Sequence, residues 1–504
     1  MLIEGILSIL NVQTLFLIIG GTVLGIIIGA IPGLTVTMGV ALFLPVTFAM
    51  SPVDGLSLLM GLYIGGTSGG LIPSILLNIP GTPASVATTF DGYPMAVRGE
   101  AGKALSVAII SSFLGGVFSL LVLFAVSPVL AEVALKFGPY EYFAVALFSL
   151  TLVAGLSGGS LARGMAAAGI GLTVSFVGMA PITAFPRFTF DWHELDAGIT
   201  LLPELIGLFA VSQILEEAES RKPQKKLQVL SYKLNNLGFS LKATVQHFPN
   251  WLRSSLIGTG IGVLPGLGAA VCNILAYGAA KKRSKHPEKF GTGISDGVIA
   301  SESSGNASTG GGMVPLLTLG IPGDNTSVIL LAGFMIHGIT PGPMLFETQS
   351  LLVYGIFAAL VVSNLAMIVA LFGLMRGFVH ILSVPKHILL PIIMLLCVIG
   401  AYGINNRLFD VGCMLVFGVL GWLMKKASLP ITPLLLGFIL GPIIETNLRR
   451  GLMSSQGDFM PFITEPISGV VLLATVIVVI VTAYKEFVKI RRPQEQAITS
   501  SQAR

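Results

Sequence analysis

Residues 25–48 read GIIIGAIPGLTVTMGVALFLPVTF, an apolar run that is interrupted by Pro32-Gly33. The run contains no charged residue, and about 20 apolar residues are enough for one transmembrane helix. A Pro-Gly pair inside such a run leaves backbone amides and carbonyls unpaired. At membrane depth this is tolerated only where protein or a hydrated cavity surrounds them. The stretch therefore predicts a broken helix in a membrane protein, with the break enclosed by protein.

The composition of the whole chain agrees with membrane residence. Of the 504 residues, 53% are hydrophobic and 11% are charged, whereas roughly a quarter of the residues of a soluble domain are charged. The apolar windows predict an all-α polytopic membrane protein with about 10–12 transmembrane helices plus re-entrant or broken helices. The net charge of +5 comes from Lys and Arg in short loops, which favours a role in membrane topology over nucleic-acid binding.

Charged segments divide the chain into four parts. Residues 1–215 hold a first transmembrane repeat and the helices that follow it, and residues 251–485 hold a second repeat and the C-terminal helices. Residues 216–250 contain EEAESRKPQKKLQ and are predicted to be a cytoplasmic linker. Residues 486–504 are predicted to be a cytoplasmic tail, because Lys and Arg surround its start. The expected location is a bacterial inner membrane, which the chain crosses several times, with the C-terminus in the cytoplasm.

The Pro-Gly break recurs in the second half of the chain, which indicates an internal repeat. The matched blocks are, in order, GAIPGL at 29–34 and GVLPGL at 262–267, GGLIP at 69–73 and GGMVP at 311–315, IPG at 79–81 and 321–323, and Ser-Val at 85–86 and 327–328. Four matched blocks in one order predict two structural repeats.

The charges of equivalent loops predict that the two repeats are inverted relative to each other. Between the first two motifs, the first half has MSPVDG and the second half has the basic KKRSKHPEK at 281–289. Further on the bias reverses, with Arg98 and Lys103 in the first half and Glu347 without a basic neighbour in the second. Because Lys and Arg favour the cytoplasmic side, opposite biases at equivalent loops predict opposite orientations.

Helix breaks at matching positions of two repeats are the best sequence indication of a transport site. Half-helix N-termini favour an anion, and unwound carbonyls can hold a cation. Small hydroxyl and amide side chains near the breaks can bind either ligand without burying a full charge. The predicted substrate- and ion-binding residues are Pro32, Gly33, Thr67, Ser68, Asn78, Pro80, Gly81, Thr82, Ser85, Pro265, Gly266, Glu302, Asn306, Ser308, Thr309, Pro322, Gly323, Asp324, Asn325, Thr326 and Ser327.

Two carboxylates stand out among these residues, because a charge at membrane depth is costly unless it is paired, protonated or bound to an ion. Glu302 and Asp324 are therefore candidates for ion coupling, and a Na⁺ site is predicted near Asn306, Thr309 and Asp324. The alternatives are that Asp324 caps a helix that starts near Val328, and that Glu302 reaches an interface. We expect no cofactor, and a coupling ion that is Na⁺ or H⁺.

Two further charged motifs lie outside the breaks. Asp91-Gly92-Tyr93-Pro94 and the facing Arg98 are typical of a structural turn at a membrane boundary. Arg449 and Arg450 follow Glu445 in GPIIETNLRRG and are expected to pair with it or to draw anions toward a vestibule.

The blocks IIGAIPGLTVTMGVALFLPVTF, LLNIPGTPASVATTFDGYPMAVRGEAGKAL, PLLTLGIPG and IHGITPGPMLF resemble the large membrane subunit of the tripartite tricarboxylate transporter family. LPELIGLFAVSQIL and LGPIIETNLRRGL extend the likeness over nearly the whole chain. The resemblance implies a three-part importer, in which a periplasmic substrate-binding protein delivers a carboxylate substrate to this subunit and to a small integral membrane subunit. It also implies secondary transport, which is driven by an ion gradient and not by ATP. The absence of a Walker-type ATP-binding loop from the sequence agrees with this. SESSGN at 301–306 is richer in Ser than the pattern of the family.

The expected function is the import of small carboxylates, that is di- and tricarboxylates such as citrate, by alternating access coupled to an ion gradient. The protein would be surrounded by membrane lipid and would need no nucleic acid. The alternative is a self-sufficient secondary carrier of organic anions that needs no binding protein, which neighbouring genes would distinguish. An enzyme is disfavoured because the His residues are scattered and no HExxH or CxxC motif occurs. A channel is also disfavoured, because a channel would need a polar stripe or a charged ring along several helices.

Overall fold

The computed structural model describes residues 2–156, 160–219, 247–266, 268–381 and 386–502. These residues are almost entirely helical, which confirms the all-α polytopic class predicted from the sequence. Most of the predicted linker, residues 220–246, lies outside the described residues. The start of the predicted C-terminal tail continues the last helix, which runs through Gln502.

The helices are numbered in chain order. They are α1 (Leu2–Ile9), α2 (Val12–Ala30), α3 (Val36–Thr47), α4 (Pro52–Gly69), α5 (Leu71–Leu77), α6 (Thr88–Met95), α7 (Ala101–Ala134), α8 (Pro139–Leu156), α9 (Leu161–Ser175), α10 (Leu201–Leu205), α11 (Ser212–Glu219), α12 (Phe248–Gly262), α13 (Gly268–Arg283), α14 (Ser295–Leu319), α15 (Asn325–Ile336), α16 (Pro343–Thr348), α17 (Ser350–Ile381), α18 (Lys386–Asn405), α19 (Leu408–Lys426), α20 (Ile431–Ser454), α21 (Met460–Thr464) and α22 (Pro466–Gln502). Short 3₁₀ turns span Pro83–Ser85, His193–Leu195 and Pro287–Lys289, and π-helical turns span Ala96–Glu100 and Ile206–Val211. Strands β1 (Gly178–Met179) and β2 (Pro186–Arg187) pair antiparallel.

Seven helical segments within the described residues are long and apolar enough to cross a membrane. They are Val12–Ala30, Pro52–Leu77, Thr88–Ala134, Ser350–Met375, Leu408–Lys426, Ile431–Ser454 and Pro466–Tyr484. Shorter apolar helices lie at Val36–Thr47, Pro139–Gly155, Leu161–Ser175, Asn325–Ile336 and Leu390–Gly403. Many large apolar side chains on these segments are exposed, among them Val470, Leu473 and Ile480 on α22. Such a surface suits lipid, because the bilayer core is as apolar as these side chains.

The described residues form two compact units. The first contains Met1–Leu135 and Leu205–Val419, and therefore holds all the Pro-Gly breaks of the repeat. The second contains Lys136–Glu204 and Leu420–Arg504. The division into 1–215 and 251–485 concerns the order of the repeats along the chain, and it stays a prediction.

A cluster of ion pairs stabilises the second unit. Arg187 on β2 forms a two-pronged salt bridge with Glu445 on α20, with Nη1–Oε1 at 2.8 Å and Nη2–Oε2 at 3.1 Å. Arg449 Nη2 lies 2.9 Å from Oε1 of the same Glu445. The pairing expected between Glu445 and the Arg pair that follows it is therefore confirmed for Arg449. The bidentate geometry makes the Arg187 pair the more directional of the two.

The two halves of the first unit use glycine at equivalent positions for close helix packing. A Cβ on Gly25 of α2 would meet the carbonyl oxygen of Leu62 on α4, and a Cβ on Gly258 of α12 would meet the carbonyl oxygen of Ser304 on α14. Gly25 and Gly258 are equivalent in the repeat, as are Leu62 and Ser304. Only glycine permits such an approach of two helix backbones.

The helix ends also match between the halves. Asn78 ends α5 and Gly320 ends α14 in the left-handed conformation, with φ of 57° and 70°. Gly33 and Gly266, which follow the first proline of each half, have φ of 95° and 80°. Equivalent residues thus adopt equivalent backbone conformations, and the inversion of the two repeats across the membrane stays a prediction.

Gly258→Ala is expected to lower the stability of the protein, because the added Cβ would overlap the carbonyl oxygen of Ser304. Overpacking of this kind typically costs about 1–3 kcal/mol. Gly260→Ala on the same helix is the matched control, since no atom of a neighbouring element lies within 4 Å of its Cβ position. Thermal unfolding of the detergent-solubilised protein should give a lower midpoint for Gly258→Ala only. Equal midpoints for the two variants would contradict the close packing of α12 on α14.

Candidate substrate and ion site

In each half, two backbone breaks pack against each other. The first break of the first half joins α2 to α3, and the second follows α5; the corresponding breaks of the second half follow α12 and α14. Gly81 and the equivalent Gly323 lie in the second break of each half, and each packs against backbone atoms of two other glycines. These are Gly29 and Gly70 in the first half, and Gly262 and Gly312 in the second. In the second half the backbone N–H of Gly266 also donates to the carbonyl of Gly323 at 2.9 Å.

Ser68 and Asn306 connect the two halves directly. The Ser68 hydroxyl donates to Oδ1 of Asn306 at 2.7 Å, and both side chains are buried. The amide nitrogen of Asn306 donates to the backbone carbonyl of Glu302, one turn earlier on α14, at 3.3 Å. This contact therefore fixes the middle of α14 against the C-terminal end of α4.

Asp324 has two roles in the structure. Its Oδ1 accepts the backbone N–H of Ser327 at 2.6 Å, and the Ser327 hydroxyl oxygen accepts the backbone N–H of Asp324 at 2.8 Å, which completes a capping box at the start of α15. Its Oδ2 accepts the hydroxyl of Tyr63 on α4 at 2.7 Å. The helix-capping alternative is thus what the structure shows, although the helix begins at Asn325. Through Oδ2, Asp324 also links the second break of the second half to α4 of the first half.

Glu302 lies at the centre of a cluster of hydroxyl groups. Its side chain is 1% exposed. Oε1 accepts the hydroxyl of Thr88 on α6 at 2.5 Å, and Oε2 accepts the hydroxyl of Ser112 on α7 at 2.7 Å. The Thr88 hydroxyl also lies 2.8 Å from that of Ser301. Glu302 is therefore a buried carboxyl group of the second half that is bonded by side chains of the first.

Several predicted hydroxyl ligands bond to their own helix. The hydroxyls of Thr67, Ser308 and Thr309 donate to backbone carbonyls three or four residues earlier, at 2.7–2.8 Å. Such bonds satisfy the donor and leave the oxygen lone pairs as acceptors. Thr82 and Ser85 are also buried, with their hydroxyls 3.4 Å apart, and Thr326 lies 3.0 Å from Thr37 of α3.

Other predicted residues do not lie with this buried group. Asn78, Pro80 and Asn325 are exposed. Pro32 and Gly33 are partly buried, Pro265 and Pro322 are more deeply buried, and all four shape the backbone.

The predicted Na⁺ site stays a prediction. Thr309 bonds to the carbonyl of Asn306, whereas the Asp324 carboxylate bonds to Tyr63 and Ser327. Among the described residues, no group of three or more His, Cys, Asp or Glu side chains could hold a metal ion. A cation would therefore depend on hydroxyl, amide and backbone carbonyl oxygens with one carboxylate, a donor set that suits an alkali cation.

Three residues that the sequence pattern does not predict each bond a predicted site residue, namely Tyr63, Thr37 and Ser112. Tyr63 lies one helical turn before Thr67, on the same face of α4, so helical spacing from a predicted residue could have identified it. Thr37 and Ser112 lie on other helices, and no local signal links them to their partners.

Asp91 and Arg98 form a clasp between the first half and the loop before α14. Asp91 Oδ2 accepts the hydroxyl of Tyr277 at 2.9 Å, and the Arg98 guanidinium donates to the carbonyls of Thr292 and Gly293 at 2.5 Å each. Asp91 Oδ1 accepts three backbone N–H groups, those of Gly291 (2.9 Å), Gly293 (2.8 Å) and Ile294 (3.0 Å). The carboxylate and the guanidinium thus satisfy the amides and the carbonyls of one loop, which holds the start of α14 in place.

Asp91→Asn is expected to destabilise the protein by about 2–3 kcal/mol, since hydrogen bonds to a charged group contribute about 1.5–3 kcal/mol each. The control is Glu100→Gln, because Glu100 is exposed and pairs only at the surface with Arg98 and Lys103. Thermal unfolding should show a lower midpoint for Asp91→Asn and little change for Glu100→Gln. An unchanged midpoint for Asp91→Asn would refute a stabilising role for the clasp.

Long apolar helices, paired backbone breaks and buried polar contacts between the two halves define a polytopic membrane transport protein. The family model of the tripartite tricarboxylate transporter TctA family matches residues 15–436, and the chain belongs to this family. It is therefore a large membrane subunit of a tripartite system, as the sequence blocks indicated, and a transporter subunit instead of an enzyme.

Two relatives come from Agrobacterium vitis. An uncharacterized 52.8 kDa protein in the TAR-I ttuC' 3' region is 37% identical over 468 residues, which cover 92% of this chain and 93% of that protein. An uncharacterized protein in the TAR-II ttuC' 3' region is 38% identical over 237 residues, which cover 47% of this chain and 98% of that protein. No solved structure matches the chain.

Proposed function

We propose that this chain is the large translocating subunit of a binding-protein-dependent secondary transporter that imports small carboxylates, such as citrate and other di- and tricarboxylates. The observation that carries the proposal is the meeting of the two halves at their helix breaks, through Ser68–Asn306 and Tyr63–Asp324. Membership of the TctA family supports the class of substrate.

The two halves would divide the ligands between them. Thr82 occupies the position of the first half that Asp324 occupies in the second, directly after Ile-Pro-Gly. A negative charge at the second break repels a carboxylate and attracts a cation, whereas the neutral hydroxyls of Thr82 and Ser85 can donate to a carboxylate. The substrate would therefore bind nearer the first break, and the coupling cation nearer Asp324.

Alternating access would change the contacts between the halves. When one half moves against the other, the Ser68–Asn306 and Tyr63–Asp324 bonds must break or exchange partners. Substrate and ion can supply the replacement hydrogen bonds and charge, so that movement is favoured only when both are bound. This is the physical basis for coupling uptake to an ion gradient.

The other parts of the system follow from the tripartite family. A periplasmic substrate-binding protein would deliver the carboxylate, and a small integral membrane subunit would complete the membrane complex. The chain would lie in a bacterial inner membrane with its C-terminus in the cytoplasm, as the basic residues near that end indicate.

Reconstitution tests this proposal. Proteoliposomes that contain the chain and its small subunit should accumulate radiolabelled citrate or another di- or tricarboxylate only when binding protein and an imposed Na⁺ or proton gradient are both present. Uptake without binding protein would instead establish a self-sufficient carrier. Failure to take up any member of a carboxylate panel would remove the substrate class.

The Asp324→Asn variant tests the contribution of the negative charge at the second break to transport. Asn remains a good helix N-cap, so the start of α15 should persist while the charge is lost. Gradient-driven uptake should fall about tenfold or more, which corresponds to roughly 1.4 kcal/mol of lost coupling or binding. The control is Asp458→Asn, because exposed Asp458 also accepts a backbone N–H, from Met460 at 2.9 Å, but lies in the second unit. Equal uptake by both variants would show that the Asp324 charge has no role in transport.

A further inference from the structure

The Glu302 cluster joins elements of both halves at a buried interface. Glu302 lies on α14, Thr88 on α6 and Ser112 on α7. The helices α14 and α7 approach closely here, since a Cβ on Gly115 would meet the backbone of Ser303. Any motion of α14 against α6 or α7 must therefore break the bonds of the Glu302 carboxyl group.

Glu302 has no positive partner in the described part of the chain, where its carboxyl group bonds to the hydroxyl groups of Thr88 and Ser112. A buried carboxylate without a counter-charge in a membrane protein carries a large desolvation cost, which protonation removes. Hydroxyl groups lower this cost only in part, because they supply dipoles and no net charge. The site thus favours a carboxyl group that can bind a proton.

Several charged and titratable groups on the helices around α14 bond to partners other than Glu302. Examples are Tyr63 with Asp324, Tyr277 with Asp91, His247 with Asp296, Arg253 with Asn250, Lys103 with Glu100, and Cys272 with the Gly268 carbonyl. Among the residues that the structure describes, the hydroxyls of Thr88 and Ser112 bond to the Glu302 carboxyl group, and the Ser85 hydroxyl lies nearby.

The partners of Glu302 suit both protonation states. A hydroxyl can donate one hydrogen bond and accept others. Thr88 therefore donates to a carboxylate, and when the carboxyl group is protonated it can accept from that group and turn its own hydrogen toward Ser301, 2.8 Å away. Oxygen positions need not change, so proton binding and release are possible without unfolding the cluster. Asp324 differs, because its carboxyl group accepts a backbone N–H at the N-terminus of α15.

We propose that Glu302 is a proton-binding site that couples transport to a proton gradient. In this step a proton adds to one carboxylate oxygen of Glu302 on one side of the membrane, forming the neutral acid, and leaves on the other side with no electron transfer. The release accompanies the movement of α14 away from Thr88 and Ser112. The site is distinct from the cation position near Asp324, and its role in transport rests on the proposed function.

The transport test uses Glu302→Gln, which keeps the size and hydrogen bonding of a protonated Glu but cannot titrate. In proteoliposomes with the small subunit and the binding protein, wild type should accumulate labelled carboxylate under an inward proton gradient without a Na⁺ gradient. Glu302→Gln should lose about tenfold or more of this accumulation, and a larger fraction of it than of substrate counterflow, which needs no gradient. Glu302→Asp should restore part of the gradient-driven uptake.

Glu204→Gln is the matched control, because Glu204 is also fully buried and neither of its carboxyl oxygens has a hydrogen-bond partner among the described residues. It should keep the response to the proton gradient. A normal response in Glu302→Gln, or a loss in Glu204→Gln alone, would overturn the proposal.

A second readout needs no substrate. Infrared spectra of the purified protein should show the C=O stretch of a protonated carboxyl group that disappears as the pH rises and is absent in Glu302→Gln. If wild type transports no carboxylate, the proposed function fails while this band still decides the proton site. A band that is unchanged in Glu302→Gln would refute proton binding by Glu302.

Discussion

The constraint on which the structure depends is the need to satisfy backbone groups at the Pro-Gly breaks without bulk water. Each break frees amides and carbonyls that a continuous helix would pair. Glycines at the breaks let the backbones approach closely enough to enclose these groups, as Gly81 and Gly323 do in their respective halves. The glycine pattern and the breaks therefore depend on each other, and a β-carbon at these glycines would separate the segments that form the site.

The same scaffold carries different chemistry in its two halves. Glu302 lies nine residues before the Gly-Gly pair of α14, and the equivalent position of α4 is Met60. Asp324 likewise corresponds to Thr82. Both carboxylates of the predicted site therefore belong to the second half, and each bonds to hydroxyl groups of the first, Glu302 to Thr88 and Asp324 to Tyr63. The negative charges of the second half would attract a cation, and the neutral first half would accept an anion, so the uneven charge distribution suits the binding of both ligands at neighbouring positions.

Much of this arrangement could be predicted from the sequence, because the breaks, the repeat and the helix cap are local features. Pro and Gly in apolar runs locate the breaks, and Asp324 followed by Ser327 specifies a cap. The partners of the buried carboxylates could not be predicted, since Ser112 and Tyr63 meet them only through packing of distant helices. The exposure of a single residue could not be predicted either: Asn78 lies at a break and ends α5 in the left-handed conformation, and its side chain is exposed.

We propose that the breaks of the two halves together enclose the transported carboxylate. The most direct measurement is an electron cryo-microscopy structure of the chain with its small subunit and a bound di- or tricarboxylate. We expect ligand density between the two breaks, with a carboxylate near Thr82 and Ser85 and with Asp324 on the opposite side. Density outside the first unit, or a substrate carboxylate bound against the Asp324 side chain, would contradict it.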